Sequence, residues 1–325
     1  METVLIDRNF KMKEIKKLSI DEMAVLFGGE IGEVVSAMAD ISPNLEFHYR
    51  IPSEQELEKI TLDVLRRLDQ IGSQIPRAGE ERKVDWEKGW SENFNEFVDG
   101  GFQISDLVPK YLRPNEPIRL RRKIVVPVQE HFVRDYTLLF RNWVFNKYLQ
   151  PFDNIYEFGC GPGAHLAYLA KKYSNKNIYG FDWAEASIQI IEAMAKKFRW
   201  KVEGAKFDFF NPDLNLKIKN NSAVITFGAL EQTGSRYRDF MDYIYAQKPS
   251  LCLHVEPMNE LYDEDNLVDY LSLKYHKHRG YLDGFLNFLK DWESRGLIKI
   301  EKIHRHYLGT KFAETYSYVV WYPIN

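Results

Sequence analysis

The sequence predicts an α/β protein: a mostly parallel seven-stranded sheet with an antiparallel last strand, helices on both faces, and a mainly helical region in front of it. Three observations predict this. From residue 154 onward, apolar strand-like segments alternate strictly with segments of helical period, the pattern of a parallel sheet covered by helices. The first of those strands runs directly into a glycine-rich turn and then a helix, in "IYEFGCGPGAHLAYLA" (155–170). The last two strands, "IKIEKIHRHYL" and "TYSYVVWYP", have only a short connection, which pairs them antiparallel because a parallel crossover needs about a dozen residues or more.

Residues 1–125 read as helical and irregular. "SEQELEKITLDVLRRLDQIG" opens with a capping box, Ser53 and Glu56, and carries one apolar stripe of Leu57, Ile60, Val64, Leu68 and Ile71 before Gly72 stops it. An earlier helix is expected within "SIDEMAVLFGGEIGEVVSAMAD", although Gly28, Gly29 and Gly32 oppose it. "WEKGWSENFNEFVDGGF" reads as a helix packed on a partner by its aromatic residues; a substrate or dimer surface is the alternative. "YLRPNEPIRLRRKIVVP" marks a boundary, and its basic run Arg119, Arg121, Arg122 and Lys123 reads as a solvated face. A long helix, "VQEHFVRDYTLLFRNWVFNKYL", opens the second region, 126–325.

Within that region the strands are "NIYEF", "NIYGFD", a stretch of "KVEGAKFDFF", "SAVITFGAL" and "SLCLHVEP", followed by the closing pair. The helices between them are "AHLAYLAKKY", "EASIQIIEAMAKKF", "RYRDFMDYIYAQ" and "YLDGFLNFLKDWESRG". The whole chain of 325 residues is long enough for more than one folding unit. A net charge of −3 gives no basic field for nucleic acid. Two cysteines, Cys160 and Cys252, allow no disulfide framework and fit a reducing cytoplasm. No secretory signal and no run long enough to span a membrane is read.

Gly159, Gly161 and Gly163 let the chain turn sharply after the first strand and turn backbone N–H groups toward a ligand, with the positive end of the next helix behind them. A dinucleotide, a nucleoside triphosphate and S-adenosylmethionine all suit such a corner. The triphosphate loop is missing its Gly-Lys-Ser/Thr ending. Glu157, two residues before the first glycine, would face a pyrophosphate unfavourably but suits an amino group and a sulfonium. Asp182 closes the second strand about 20 residues on, where a carboxylate accepts from both ribose hydroxyls. Asp208 in "FDFFNP" is placed to accept from an adenine amine, with Phe209 and Phe210 beside it to cover the ring.

Glu157-x-Gly159-Cys160-Gly161-Pro162-Gly163, Asp182, Asp208 and "TFGALEQ" together resemble the first four motifs of class I S-adenosylmethionine-dependent methyltransferases. The resemblance covers about residues 125–325 and leaves the N-terminal part unassigned. It implies S-adenosylmethionine as cofactor, its methionine part on the glycine loop that includes Cys160, its ribose on Asp182 and its adenine amine on Asp208. Phe227, Gly228 and Ala229 would line the cofactor beside the transferred methyl. Trp183 would pack on the adenine or serve as a core tryptophan.

Methyl transfer is an in-line displacement, and a general base is needed only when the acceptor must lose a proton. The candidates are Glu231 and Gln232 after the fourth strand, and His254 and Glu256 on one face of the fifth. Glu256, at the open end of the sheet, ranks first. His254 reads more readily as a core histidine, and Glu231 binds substrate or caps a helix near Thr233. The connection 257–280 is expected to contact substrate through Tyr262, Tyr275 and His276. His276, His278, His304 and His306 with Asp263 and Asp265 invite a metal site, but no ligand spacing supports one, and none is expected. The expected function is methylation of a small molecule at oxygen or nitrogen. A protein acceptor docked on the N-terminal helices, or a non-catalytic cofactor-binding scaffold, is the alternative. The expected partners are the small molecule alone, with neither nucleic acid nor membrane. The N-terminal helices are expected to cap the pocket, to form a homodimer, or both.

Overall fold

The computed structural model describes residues 14–42, 44–108 and 116–324. The N-terminal part contains β1 (Ile15–Lys17), α1 (Ile20–Phe27), α2 (Ile31–Ala39), β2 (His48–Arg50), α3 (Glu54–Gln70) and α4 (Lys83–Asp99). β3 (Ile118–Leu120), β4 (Lys123–Pro127) and α5 (Phe132–Leu149) follow. The alternating part runs β5 (Asn154–Phe158), α6 (Ala164–Lys172), β6 (Asn177–Asp182), α7 (Glu185–Phe198), β7 (Val202–Lys206), β8 (Ser222–Phe227), α8 (Arg238–Gln247) and β9 (Leu251–Val255). It ends with α9 (Leu267–Arg279), α10 (Phe285–Ser294), β10 (Ile298–His304), β11 (Leu308–Thr310) and β12 (Tyr318–Pro323).

Seven strands form the main sheet in the order β10-β12-β9-β8-β5-β6-β7, and only β12 runs against its neighbours. The fold class read from the sequence is the one observed. Its physical basis is visible in β5, where all five residues are buried because helices cover both faces. Side chains alternate along the strand. Ile155 therefore joins the core under α5, α6 and α7, while Tyr156 and Phe158 join the aromatic core under α8 and α10.

The N-terminal part differs from its reading in three ways. First, it is not only helical: β1, β2, β4, β3 and β11 make a second, antiparallel sheet of five strands. These strands are three to five residues long, and β11 arrives from between the closing strands, which is why local pattern does not reveal them. Second, the basic run is a solvated face only in part, with Arg121 and Lys123 exposed and Arg122 half-buried. Arg119 is buried, while Arg121 and Arg122, with φ of 51° and 61°, form the two-residue turn between β3 and β4. Third, α1 and α2 are separate helices that break at Gly28, whose φ of 74° caps α1. Gly29 then passes so close to Trp143 that a Cβ there would lie 2.4 Å from the indole.

α3 carries the expected capping box, with Glu56 N donating to Ser53 Oγ at 3.3 Å and Ser53 N to Glu56 Oε2 at 2.8 Å. Of its apolar stripe, only Val64 and Leu68 are buried. The connection after β9 is not a loop throughout, since α9 occupies half of it, capped by the Asn266 side chain. α4, the aromatic helix, packs against α7. That contact brings the N-terminal part to the carboxyl ends of the main strands.

Candidate functional site

The turn after β5 takes the shape its glycines permit: φ is 75° at Gly159, 52° at Gly161 and 74° at Gly163, all left-handed. At Gly159 a Cβ would also lie 2.2 Å from that of Ala229, so the turn packs bare backbone on the end of β8. Asp182, at the end of β6, ties the turn down. Its Oδ2 accepts from Gly161 N at 2.9 Å and its Oδ1 from Ala184 N at 3.0 Å. Burial pushes its carboxyl up to about 6, even though the two amides and Ser187 favour the charged form. Each oxygen retains a lone pair beyond these bonds.

A cleft open to solvent, with about 520 Å³ of empty space, lies here. Gly159, Gly161, Asp182 and Trp183 form one side, Phe207, Phe209 and Phe210 the floor, and Gly228, Ala229, Gln232 and Thr233 the other side. Trp183 is a cleft residue and not a core one: it stacks on Phe210 with centroids 6.1 Å apart. Asp208 stands behind these rings, accepting from Phe210 N at 3.0 Å and paired with Lys83 of α4. The Cys160 side chain is enclosed and its thiol is pushed well above its ordinary range by burial, which fits a filler whose backbone matters. Phe227, expected to line the cofactor, does not line the cleft and packs instead against His165, centroids 4.6 Å apart.

Glu157 is buried within β5, two residues before the turn, and does not itself line the cleft. Its Oε1 meets His165 Nδ1 at 2.7 Å, and its Oε2 has no hydrogen-bond partner. A buried carboxylate oxygen left unpaired is costly unless a ligand completes it. Together with the bare backbone of the turn and the two outer acids, it fits an adenosine that ends in an ammonium.

The strand-end acids are arranged differently from their reading. Glu256 is not a free base. Its Oε1 accepts from Ala229 N at 3.2 Å and Leu230 N at 3.0 Å, and its Oε2 from Glu231 N at 3.1 Å. It caps the short 3-10 helix Leu230–Thr233 and so fixes the wall of the cleft. Burial pushes it up to about 7 against those three amides. His254 is a core histidine, bonded through Nδ1 to Thr226 Oγ1 at 3.0 Å and held neutral by burial, which pushes it down to about 3.

Glu231 does not itself line the cleft, although Gln232 beside it does. Burial, then the Glu256 charge, push it up to about 8, while Gln232 donates to it at 2.9 Å and Arg279 and Arg82 act in the opposite direction. It lies within the 3-10 helix and does not cap it. Tyr275 and Tyr281 feel its charge, which places the α9 end near it. Tyr275 stacks on Phe312 at 5.3 Å. His276 is fully enclosed, its neighbours Tyr262 and Tyr281 within 5.7 Å, and neither ring nitrogen has a partner. Tyr262 belongs elsewhere: its hydroxyl accepts from Glu314 N at 3.0 Å and its ring lies 4.9 Å from Arg305, inside the buried ion cluster of Arg305, Asp269 and Glu314. Among the described residues, no group of three or more His, Cys, Asp or Glu side chains is placed to hold a metal ion. No helix among them is long and apolar enough to cross a membrane.

Sequence reasoning allowed for N-terminal helices capping the pocket but named none of the residues that do so. Trp86 and Trp90 of α4 stack on each other at 5.2 Å and close the cleft from above, Trp90 lying over Gly161. Lys83 spans Asp208, the Trp183 ring and the Phe210 ring. Glu87 caps α7, accepting from Glu185 N at 2.7 Å and Ala186 N at 3.0 Å. The signal was the pair of tryptophans four apart, one turn of one helix face.

Residues 155–246 match the family model of a methyltransferase domain. No curated protein sequence matches the chain. Among solved structures, a SAM dependent methyltransferase from Aquifex aeolicus aligns at 15% identity over 55% of this chain and 89% of that one, with a TM-score of 0.39. The plantazolicin methyltransferase BpumL, solved with a monoazolic desmethylPZN analog and SAH, aligns at 15% identity over 76% and 98%, with a TM-score of 0.41. An rRNA methylase from Escherichia coli aligns at 11% identity over 94% and 100%, with a TM-score of 0.42. Likeness at this level says nothing of the acceptor of this chain.

Proposed function

We propose that this chain, which carries a class I S-adenosylmethionine-dependent methyltransferase domain with S-adenosylmethionine as its cofactor, methylates an oxygen or nitrogen of a small molecule. One observation carries the small acceptor: the cleft is roofed by the chain's own α4. The roof is held by Lys83 on Asp208, Glu87 on α7 and an ion pair of Glu80 with Arg236 at 2.8 Å. The preceding segment is held by Ala78 N, which donates to Arg279 O at 2.7 Å. The α4 cover supports a small molecule over a folded protein or a nucleic-acid duplex as the group that reaches Ala229 and Gln232. The two cysteines, both free and buried, support a cytoplasmic setting.

The bound cofactor supplies a methyl group already activated by its sulfonium. The chain's residues supply the rest. Asp182 takes the ribose hydroxyls, and Asp208 takes the adenine amine once Lys83 gives way. Trp183 and Phe210 flank the ring from one side, Trp86 and Trp90 from the other. The roof excludes water and holds the acceptor in line. Glu231 accepts the proton that a hydroxyl acceptor releases, and its raised pKa matches it to that role near neutral pH. Glu256 is a positioning residue that holds the Glu231 backbone. The test is methyl-labelled S-adenosylmethionine incubated with purified protein and cell extract, followed by separation by size. Label in the small-molecule fraction supports the proposal, and label confined to macromolecules overturns it in favour of a protein or nucleic-acid acceptor.

A further inference from the structure

Two buried polar atoms of cleft-lining side chains have no partner among the described residues: Trp86 Nε1 on the roof and Gln232 Oε1 on the side that follows β8. An indole N–H only donates and an amide oxygen only accepts, so the pair offers one unmet donor and one unmet acceptor. The other polar side chains of the lining are engaged. Asp182 accepts from two backbone amides, and Thr233 Oγ1 donates to Leu230 O at 2.8 Å.

Each of the two atoms is held in place. Gln232 is 8% exposed, and its Nε2 donates to Glu231 Oε1 at 2.9 Å, which leaves the oxygen end of the amide free. Trp86 lies between Arg82 and Trp90, one helical turn away on either side. The Arg82 guanidinium is 4.7 Å from its ring centroid, and the Trp90 ring is stacked on it at 5.2 Å. With its faces taken up, the indole presents an edge to the cleft, and Nε1 is on an edge. The charge of Arg82 also acts on Glu231, which brings this turn of the roof to the Gln232 side.

Charge narrows the class of ligand. Of the described residues that line the cleft, Asp182 alone carries an ionisable side chain. A carboxylate or phosphate brought here meets no lysine, arginine or histidine in the lining, and an ammonium meets no acid except the one that serves the ribose. A charge buried without a counter-charge is costly. Apart from Asp182, Gln232 and Thr233, the lining is aromatic, glycine or alanine and suits apolar surface.

We infer that Trp86 and Gln232 select a neutral methyl acceptor with an apolar body and one polar edge that both donates and accepts, as a hydroxyl or a carboxamide does. Gln232 Oε1 accepts from its O–H or N–H, and Trp86 Nε1 donates to its oxygen. The inference rests on the small-acceptor reading above and names the class of that acceptor.

The test divides the small-molecule fraction of a cell extract at pH 7. Ion exchangers hold an anionic and a cationic pool, ethyl acetate extracts a neutral pool, and a remainder stays in water. Each is incubated with the full chain and methyl-labelled S-adenosylmethionine, and label is expected in the neutral pool alone. With that pool as acceptor, Trp86→Phe and Gln232→Met should each raise the amount needed for half-maximal labelling about 3- to 10-fold, the range for one neutral hydrogen bond. Both variants should bind S-adenosylhomocysteine as the wild type does in calorimetric titration, a result that mere loosening of the roof would not give. Label in the anionic pool, the cationic pool or the remainder overturns the inference and leaves the small-acceptor reading standing. Variants that need no more of the neutral pool, or that lose S-adenosylhomocysteine affinity in parallel, also overturn it; in the second case the pair serves the cofactor. Label confined to macromolecules, or none at all, removes the small-acceptor reading as well. Should a variant fail to fold, the distribution of label made by the wild type decides.

Discussion

At the adenosine end of the cleft each acid has a partner: Asp208 pairs with Lys83, and Asp182 accepts two backbone amides. At the inner end, Glu157 keeps one buried oxygen that no protein group meets. The outer end is thus satisfied without a ligand and must exchange a contact to admit one. The inner end keeps one carboxylate oxygen open for a ligand, at a cost in stability. The difference teaches that removing Glu157 and removing Lys83 act on binding with opposite signs. Removing a charge at the inner end weakens binding, while removing Lys83 at the outer end strengthens it.

The largest expected effect concerns what lies between the two ends. Glu231→Gln is expected to lower kcat by about 100- to 10,000-fold, the usual range for a lost general base. Wild-type kcat should rise with pH and level off above about 8, where the raised carboxyl of Glu231 ionises, and the variant should show no such rise. The same shift has a stability sign. A carboxyl whose folded pKa is raised binds its proton more tightly when folded, so stability falls as pH rises from the unfolded value toward 8. Glu231→Gln should therefore melt higher than wild type at pH 8, with the gap closing toward pH 4. A wild-type profile that is flat in pH would return the proton transfer to solvent.

The next effect sharpens the inner end. Glu157→Gln should weaken S-adenosylhomocysteine about 10- to 100-fold, the range for one charge-assisted hydrogen bond, with the contact to His165 retained. Equal affinity in titration would mean that the unpaired oxygen faces nothing. The smallest effect tests the outer end. Lys83→Met should tighten cofactor binding about two- to fivefold, since the contact it removes is a partly exposed ion pair worth no more than about 1 kcal/mol. Weaker binding in that variant would make Lys83 a holder of the cofactor and not its competitor.

How much of the fold and of the cleft is legible in the amino-acid sequence follows from the range of each signal. The main sheet is readable because strand and helix periods are local, and the glycine turn because φ above zero needs glycine. Glu157, Asp182 and Asp208 are readable because each stands at a strand end, and strand ends meet at one edge of a parallel sheet. The second sheet is not, since Leu308 pairs with Leu120 across most of the chain. The roof is not, since nothing near Trp90 in sequence announces Gly161. Glu256 is misread for a subtler reason. Its place at the open end of β9 is correct, but the amides of the turn after β8 point at it, and alternation along one strand carries no word of its neighbour's turn.

The central claim is that this cleft holds S-adenosylmethionine through its strand-end acids, and the most direct measurement is a calorimetric titration of that cofactor into wild type and Asp182→Ala. The account predicts saturable binding at one site in the wild type and a loss of about 100-fold in the variant, two charge-assisted hydrogen bonds being removed. No saturable binding in the wild type, or equal affinity in the two proteins, would contradict it.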